Sequence, residues 1–184
     1  MSSSLIASGS NIATETPARE LADLIESFVP LIVDLDHGAY TADASLHIGT
    51  IGGHVRHMLD HVNALIESPL GEPIDYDTRQ RDTPVENDPH AAVDAIKQAV
   101  QALRERPPHR ADQADRAVVI LTALSQDDAP RPFSSTFDRE LAFVLSHTVH
   151  HAAMIAAIAR QLDVVVPSSF GVAPSTLKHR AAAE

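Results

Sequence analysis

Histidines cluster in two short segments of the chain, and imidazole is a side chain that both binds metals and transfers protons. The sequence has 184 residues, among them 11 histidines and no cysteine. The two segments, IGGHVRHMLDHV and LSHTVHHAAMI, contain His54, His57, His61, His147, His150 and His151. The lack of cysteine excludes disulfides, thiolate metal sites and cysteine nucleophiles. Any metal must therefore be held by nitrogen and oxygen.

The spacing of the histidines in the second segment indicates which of them can share an ion. His147 and His151 are four residues apart, so on a helix they project from the same face. His150 is rotated by about 80° from their midpoint, at about 100° per residue, and is a poorer partner. The first segment must therefore supply the rest of a metal site.

On a helical wheel the three histidines of the first segment fall together on one strip. Their neighbours there are small or polar and leave room for an ion or a ligand: Thr50, Gly53 and Ala64. Neutral imidazoles without thiols suit zinc, nickel, iron(II) or copper, and three protein ligands leave positions open for water or substrate. Asp60, three residues after His57, could orient a ligating imidazole. The remaining histidines are interpreted as surface residues: His37, His47, His90, His109 and His179.

Four helices that could position these histidines are predicted from apolar residues at helical spacing. The first runs from about Pro17 to Asp36, and Pro30 should kink or shorten it. The second has apolar residues from Ile48 to Ile66 and ends before Ser68-Pro69. The third opens at Asp88-Pro89 and stops at Pro107-Pro108. The fourth and longest begins at Ser135 or Thr136, supported by Glu140.

This pattern predicts an all-α fold, a four-helix bundle of the up-down-down-up type. Before the last long helix, the run AVVILTAL at 117–124 and the short run at 131–134 flank a turn at 127–130. The two runs predict a small β-hairpin, although eight apolar residues could equally form a buried helical turn. An extended segment at 164–167 and a short helix from Pro174 complete the chain. We expect a flexible tail at 1–16 and a single domain at 17–184.

Charge and composition limit the partners. The formal net charge of -11 repels phosphate backbones and argues against nucleic-acid and anionic-membrane binding. No segment approaches the ~20 consecutive apolar residues of a membrane span, and residues 1–16 do not resemble a secretory signal. We therefore expect a cytoplasmic protein that binds a small molecule or another protein.

The segment 70–88 is too long to be a plain connector in a compact bundle, and loops of this length are often functional. It contains Tyr76, Arg79 and Arg81, which could recognise an anionic substrate, since arginine matches carboxylate geometry with two donors. The alternative is that the segment is a solvated, charged connection without a binding role.

The sequence resembles the DinB-like superfamily of four-helix metalloproteins over most of residues 17 to 180. The resemblance rests on HVRHMLDH in the second helix, on the H-x-x-x-H from His147 to His151, and on the C-terminal FGVAPSTLKH. In that superfamily one second-helix histidine, within the string His-apolar-x-Asp, joins the two later ones. His57-Met58-Leu59-Asp60 matches that string. The resemblance thus implies His57, His147 and His151 as ligands, with His54 and His61 as alternates.

Relatives of this kind include bacillithiol- and mycothiol-dependent thiol transferases, the mycothiol-dependent maleylpyruvate isomerase and the metal-binding domain of ergothioneine-forming enzymes. The resemblance implies one divalent ion, zinc or nickel ahead of iron, and a metal-dependent transferase or hydrolase acting on a small molecule or thiol. Asp60 and Glu140 are candidate nearby carboxylates. The alternative is a non-catalytic binding or stress-response protein stabilised by its metal. Family likeness and the alanines of the last long helix also suggest a homodimer.

Overall fold

Helices make up most of the structure, a computed structural model that describes residues 17–43, 48–78, 81–105 and 116–183. The predicted flexible tail at 1–16 lies outside these residues. In chain order the elements are α1 (Pro17–Glu26), α2 (Val29–Ile32), α3 (His37–Thr41), α4 (Ile51–Glu67), β1 (Ile74–Asp75), α5 (Pro84–Asn87), α6 (Pro89–Glu105), β2 (Ala117–Thr122), β3 (Arg131–Thr136), α7 (Phe137–Gln161) and α8 (Pro174–Ala181).

Four of the described helices have ten or more residues, and they surround the hydrophobic core. α1 packs against α6 and α7, and α4 packs against the same two helices. The side chains at their contacts are fully buried, among them Leu21, Ile25, Met58, Leu65, Ile96 and Ile155. The predominantly helical fold agrees with the prediction, while the up-down-down-up order of the four helices stays a prediction.

The first predicted helix is divided into shorter pieces. α1 ends at Glu26, and Pro30 lies in the first turn of α2, where a missing N–H is tolerated. The predicted shortening by Pro30 is therefore confirmed. α3 replaces part of the loop expected after Asp36, because the Asp36 carboxylate accepts a hydrogen bond from the Ala39 N–H at 2.7 Å and caps a new helix.

The β-hairpin is confirmed. β2 and β3 pair antiparallel from Ala117↔Thr136 to Thr122↔Arg131, and the turn contains the predicted residues 127–130. A third strand was not predicted: β1 pairs parallel with β2, with Ile74 opposite Ile120. A two-residue strand is too short to produce a periodic pattern in the sequence, so the sequence predicted two strands of this sheet and missed the third.

The long connection between β1 and α6 is held tightly against α4. The Tyr40 hydroxyl donates to the Val85 carbonyl at 2.7 Å, and Arg56 Nε pairs with the Glu86 carboxylate at 2.9 Å. A side chain at Gly52 would overlap the Glu86 carbonyl oxygen and lie 2.7 Å from Tyr40 Cε1. Glycine is therefore what lets α5 approach α4 this closely.

α7 is the longest element, with 25 residues. By length and composition alone it could cross a membrane. Its apolar side nevertheless packs on α1 and α4, where Val144, Ala152 and Ile155 are buried. The role of α7 as the central helix of the bundle accounts for the same apolar composition.

Candidate metal centre

α4 presents its three histidines along the side that borders α7. The helix begins at Thr50, whose hydroxyl accepts a hydrogen bond from the Gly53 N–H at 2.9 Å. Its apolar stripe is fully buried and fixes the rotation of the helix about its axis: Ile51, Val55, Met58 and Val62. With that stripe in the core, the ring of His57 lies 5.1 Å from the ring of His147 and 4.7 Å from that of His151.

α7 supplies the opposite half of the cluster. Leu141, Val144, Thr148 and Ile155 are buried on its core side, and the Thr148 hydroxyl donates to the Val144 carbonyl within the helix at 2.8 Å. His147 and His151 occupy one face, as their spacing predicts, with ring centroids 4.4 Å apart. His150 is exposed, in agreement with its interpretation as a poorer partner.

The structure brings His57, His147 and His151 together. One ring nitrogen from each lies within 4.8 Å of the other two, and the Nε2 atoms of His147 and His151 are 3.1 Å apart. Two nitrogens bonded to one zinc ion at about 2.0–2.1 Å are about 3.0–3.5 Å apart. The His147 and His151 pair already has this spacing, and His57 lies close enough for the three residues to fit a divalent ion.

His54 and His61, the alternates, lie on either side of this group. His54 Nδ1 is 2.9 Å from Nδ1 of His151. His61 is buried, and its Nδ1 donates to the His57 carbonyl at 3.0 Å, since a carbonyl oxygen can only accept. The His61 ring lies 4.1 Å from the ring of His147. The five rings therefore form one continuous cluster between α4 and α7.

Burial and the neighbouring imidazoles lower the pKa of two histidines in this cluster. Burial, followed by the neighbouring charges of His147, His57, His54 and His150, lowers the pKa of His151 to about 3. Burial also lowers the pKa of His54, although a backbone hydrogen bond with Ile48 acts in the opposite direction. Neutral imidazoles are the form that binds metals, so the lowered pKa favours the metal-binding form of His151 at neutral pH.

The depressed pKa of His151 predicts that the metal-free protein loses stability in acid. The unfolded chain, with a histidine pKa of about 6.5, binds more protons than the folded chain between about pH 6.5 and pH 3. The free energy of unfolding should therefore decrease as the pH is lowered across this window, by about 1 kcal/mol per pH unit. Urea unfolding with a chelator present, at several pH values, measures this slope. His151→Gln should flatten it, and an equal slope in that variant would contradict the assignment to His151.

The two candidate carboxylates have other partners in the structure. Asp60 Oδ2 forms an ion pair with Arg56 at 2.7 Å. Glu140 is fully buried and accepts hydrogen bonds from the Tyr76 hydroxyl at 3.0 Å, from Ser135 at 2.5 Å and from Arg139 at 2.8 Å. Contact of either carboxylate with a ligating histidine stays a prediction. The Glu140 network instead joins α7 to β3 and to the segment after β1.

The structure describes two of the three substrate-binding candidates in the segment 70–88. Arg79 lies outside the described residues, and Arg81 is exposed. Tyr76 is buried, stacks on His61 at 5.2 Å with an interplanar angle of 10°, and lines a cavity of about 440 Å³. Burial first, and then the charge of Glu140, raises the pKa of the Tyr76 hydroxyl. Tyr76 is therefore a neutral hydrogen-bond donor at the wall of this cavity.

The cavity is the part of the site that sequence reasoning missed. Its walls come from α4, α7 and the sheet, and include His61, Phe133, Ser134, Arg139, Glu140 and Phe143. The Phe143 ring stacks on His147 at 5.9 Å, and the Arg139 guanidinium lies 5.4 Å from the Phe143 ring. Phe143 and Arg139 precede His147 by one and two helical turns, a spacing that could have indicated them. The contribution of β3 had no sequence signal.

Comparison with known proteins identifies relatives of the chain. The sequence model of the DinB family matches residues 22–173. A protein of Rhizopus delemar, called FK506-binding protein 5, is 39% identical over 106 residues, which cover 58% of this chain. The aligned part spans only 27% of that protein's length. No solved structure matches the chain.

Proposed function

Because the chain belongs to the DinB family, we propose that it is a metalloprotein in which His57, His147 and His151 hold one divalent ion. The observation that carries the proposal is the convergence of three ring nitrogens within 4.8 Å, two of them 3.1 Å apart. An all-imidazole donor set suits zinc or nickel ahead of iron, and three protein ligands leave a coordination position for another molecule. Metal analysis of protein purified without a histidine tag tests this.

We further propose that the site acts on a small molecule, as a metal-dependent transferase of the thiol type or a hydrolase. When bound, the ion would supply a Lewis acid that lowers the pKa of a thiol or of water. The 440 Å³ cavity has the size of a small-ligand site. His61 lines this cavity and also touches the rings of His57 and His147. Only the His61 ring would thus lie between a ligand in the cavity and the histidines proposed to hold the ion.

In this proposal the residues of the chain bind and orient the ligand. Phe133 is 42% exposed and, with Phe143 and Tyr76, offers aromatic surface to an apolar group. Tyr76 and Ser135 are held in place by the buried Glu140 carboxylate. Recognition of an anionic group by Arg79 and Arg81 stays a prediction. Arg139 is a cation that the structure places in the cavity wall itself.

A thiol-binding site predicts a spectroscopic response. In the cobalt-substituted protein, a small thiol should change the visible absorption near neutral pH, because a thiolate at the open position alters the ligand field of the ion. A matched alcohol of the same size is the control and should cause little change. A spectrum indifferent to thiols would remove the thiol-transfer proposal and leave the metal proposal intact.

The second candidate function is a non-catalytic protein whose metal stabilises the bundle. The observation that favours it is the closeness of two further histidines, since His54 Nδ1 is 2.9 Å from His151 Nδ1 and the His61 ring lies 4.1 Å from the ring of His147. A fourth imidazole on the ion would close the site, as in structural zinc centres. X-ray absorption of the zinc-loaded protein separates the two functions: four nitrogens favour the stabilising role, and a position filled by water favours catalysis.

The remaining expectations are proposals as well. We propose a cytoplasmic homodimer without nucleic-acid or membrane partners. Of the α7 alanines that suggested a dimer, Ala152 and Ala156 are buried inside the chain itself, Ala157 is half-buried and Ala153 is exposed. Two of these four alanines thus pack within the chain, and support for the dimer rests mainly on family likeness.

A further inference from the structure

His54 lies within hydrogen-bonding distance of one of the proposed ligands, His151. The contact is made by the ring nitrogen of His151 that does not face His147. His54 Nδ1 lies 2.9 Å from His151 Nδ1, whereas His151 Nε2 faces His147 Nε2 at 3.1 Å. The Nε2 atom of His151 therefore faces His147, and its Nδ1 atom faces His54. The two contacts are coupled, because a neutral imidazole has a single N–H and can donate at only one of them.

Two proton arrangements satisfy these contacts in the metal-free protein. In the first, His54 donates to His151 Nδ1, and His151 donates from Nε2 to His147. In the second, both directions are reversed. An ion held by the Nε2 atoms of His147 and His151 requires both atoms to be deprotonated, whereas the first arrangement protonates Nε2 of His151 and the second protonates Nε2 of His147. Metal binding would thus move the proton of each ring to its Nδ1. For His151 this keeps the Nδ1–H···His54 bond of the second arrangement and excludes the first.

We infer that His54 is a positioning residue that accepts the Nδ1–H hydrogen bond of His151 and so fixes the tautomer and ring orientation of this ligand; the inference rests on the proposed metal site. Metal-bound histidines generally donate their second N–H to a carboxylate, a carbonyl or water. In this chain an imidazole takes that place. The proton of His54 then resides on Nε2.

The surroundings of His54 agree with this role. Its ring is half-buried, and the Gly53 N–H that precedes it is capped by Thr50, which fixes the start of α4. The Nε2 atom is buried and makes no hydrogen bond of good geometry with the described residues. The Ile48 backbone is nonetheless close enough to stabilise the protonated ring, and that effect opposes the desolvation of His54. An Nε2–H donor is therefore compatible with this end of the ring.

A matched pair of variants isolates the hydrogen bond from the packing. In His54→Asn the side-chain oxygen can occupy the place of Nδ1 and accept the same bond, whereas His54→Leu has a similar shape and no acceptor. We expect the Asn variant to bind zinc within about threefold of the unaltered protein. The Leu variant should bind about 10–100-fold more weakly, the usual effect of losing the partner of a ligating histidine. Competition with a chelator measures both affinities.

Nitrogen NMR of the unaltered zinc-loaded protein tests the same inference without a substitution. It should find a proton on Nδ1 of His151 and none on Nδ1 of His54. Equal zinc affinity of the Leu and Asn variants, or a proton on His54 Nδ1, would overturn this inference alone. A failure of the unaltered protein to bind any divalent ion would overturn the proposed metal site and this inference with it.

Discussion

Replacing His147 with alanine should reduce zinc affinity at least tenfold, and His57→Ala and His151→Ala should do the same. Each change removes one of three nitrogens that lie within 4.8 Å of one another, and a neutral methyl group cannot replace a ligand. Zinc content after dialysis, combined with competition against a chelator, gives the affinity. Thermal unfolding in the chelator identifies any variant that loses metal only because it unfolds.

His150→Ala is the matched control for this series. It removes a histidine from the same turn of α7, but His150 is exposed and outside the group of three. Its zinc affinity should stay within about twofold of the unaltered protein, as expected for a surface substitution. If His57→Ala retains full affinity, the third ligand is His54 or His61, both of which contact the cluster.

Gly52→Ala should destabilise the protein by about 2–3 kcal/mol, although alanine is the better helix former. The new methyl group would overlap the Glu86 carbonyl oxygen and crowd Tyr40. Relief would require α5 to move away from α4, which would strain the Tyr40 to Val85 hydrogen bond and the Arg56 to Glu86 ion pair. The melting temperature should fall by about 5 °C or more for a domain of this size.

Gly53→Ala provides the comparison one residue later in the same helix turn. The nearest atom to its new methyl group is the Thr50 hydroxyl oxygen at 3.2 Å, a side chain that can shift slightly. The gain in helix propensity is about 1 kcal/mol, so the net change should stay within about 1 kcal/mol of zero. Equal melting temperatures for the two variants would show that the approach of α5 to α4 is not as close as described.

Helical periodicity was sufficient to predict α4, α6 and α7, because each has a long apolar stripe and a clear start or end signal. It was insufficient around Asp36, where a five-residue helix depends on a single side-chain cap. It also missed β1, which exists only because Ile74 pairs with a strand more than 40 residues away. Short elements that depend on distant partners have no periodic signal of their own.

For the candidate site, the four-residue spacing of His147 and His151 placed both on one face without any knowledge of the fold. The choice of His57 as the third member came from the family string, and the structure brings its ring close to both. The contact of His54 with His151 could not be predicted, because it depends on the rotation of α4 relative to α7. The cavity depends on the hairpin folding over α7, which no local pattern encodes.

The proposed ligands come from only two helices, α4 and α7, which are about 90 residues apart in the chain. An ion between them would act as a removable cross-link that closes a large loop, and the entropy of that closure opposes folding in its absence. The free energy of unfolding would then rise with the logarithm of the free metal concentration once that concentration exceeds the dissociation constant. Metal supply in the cell would thus set how long the folded chain survives, in addition to what it can bind.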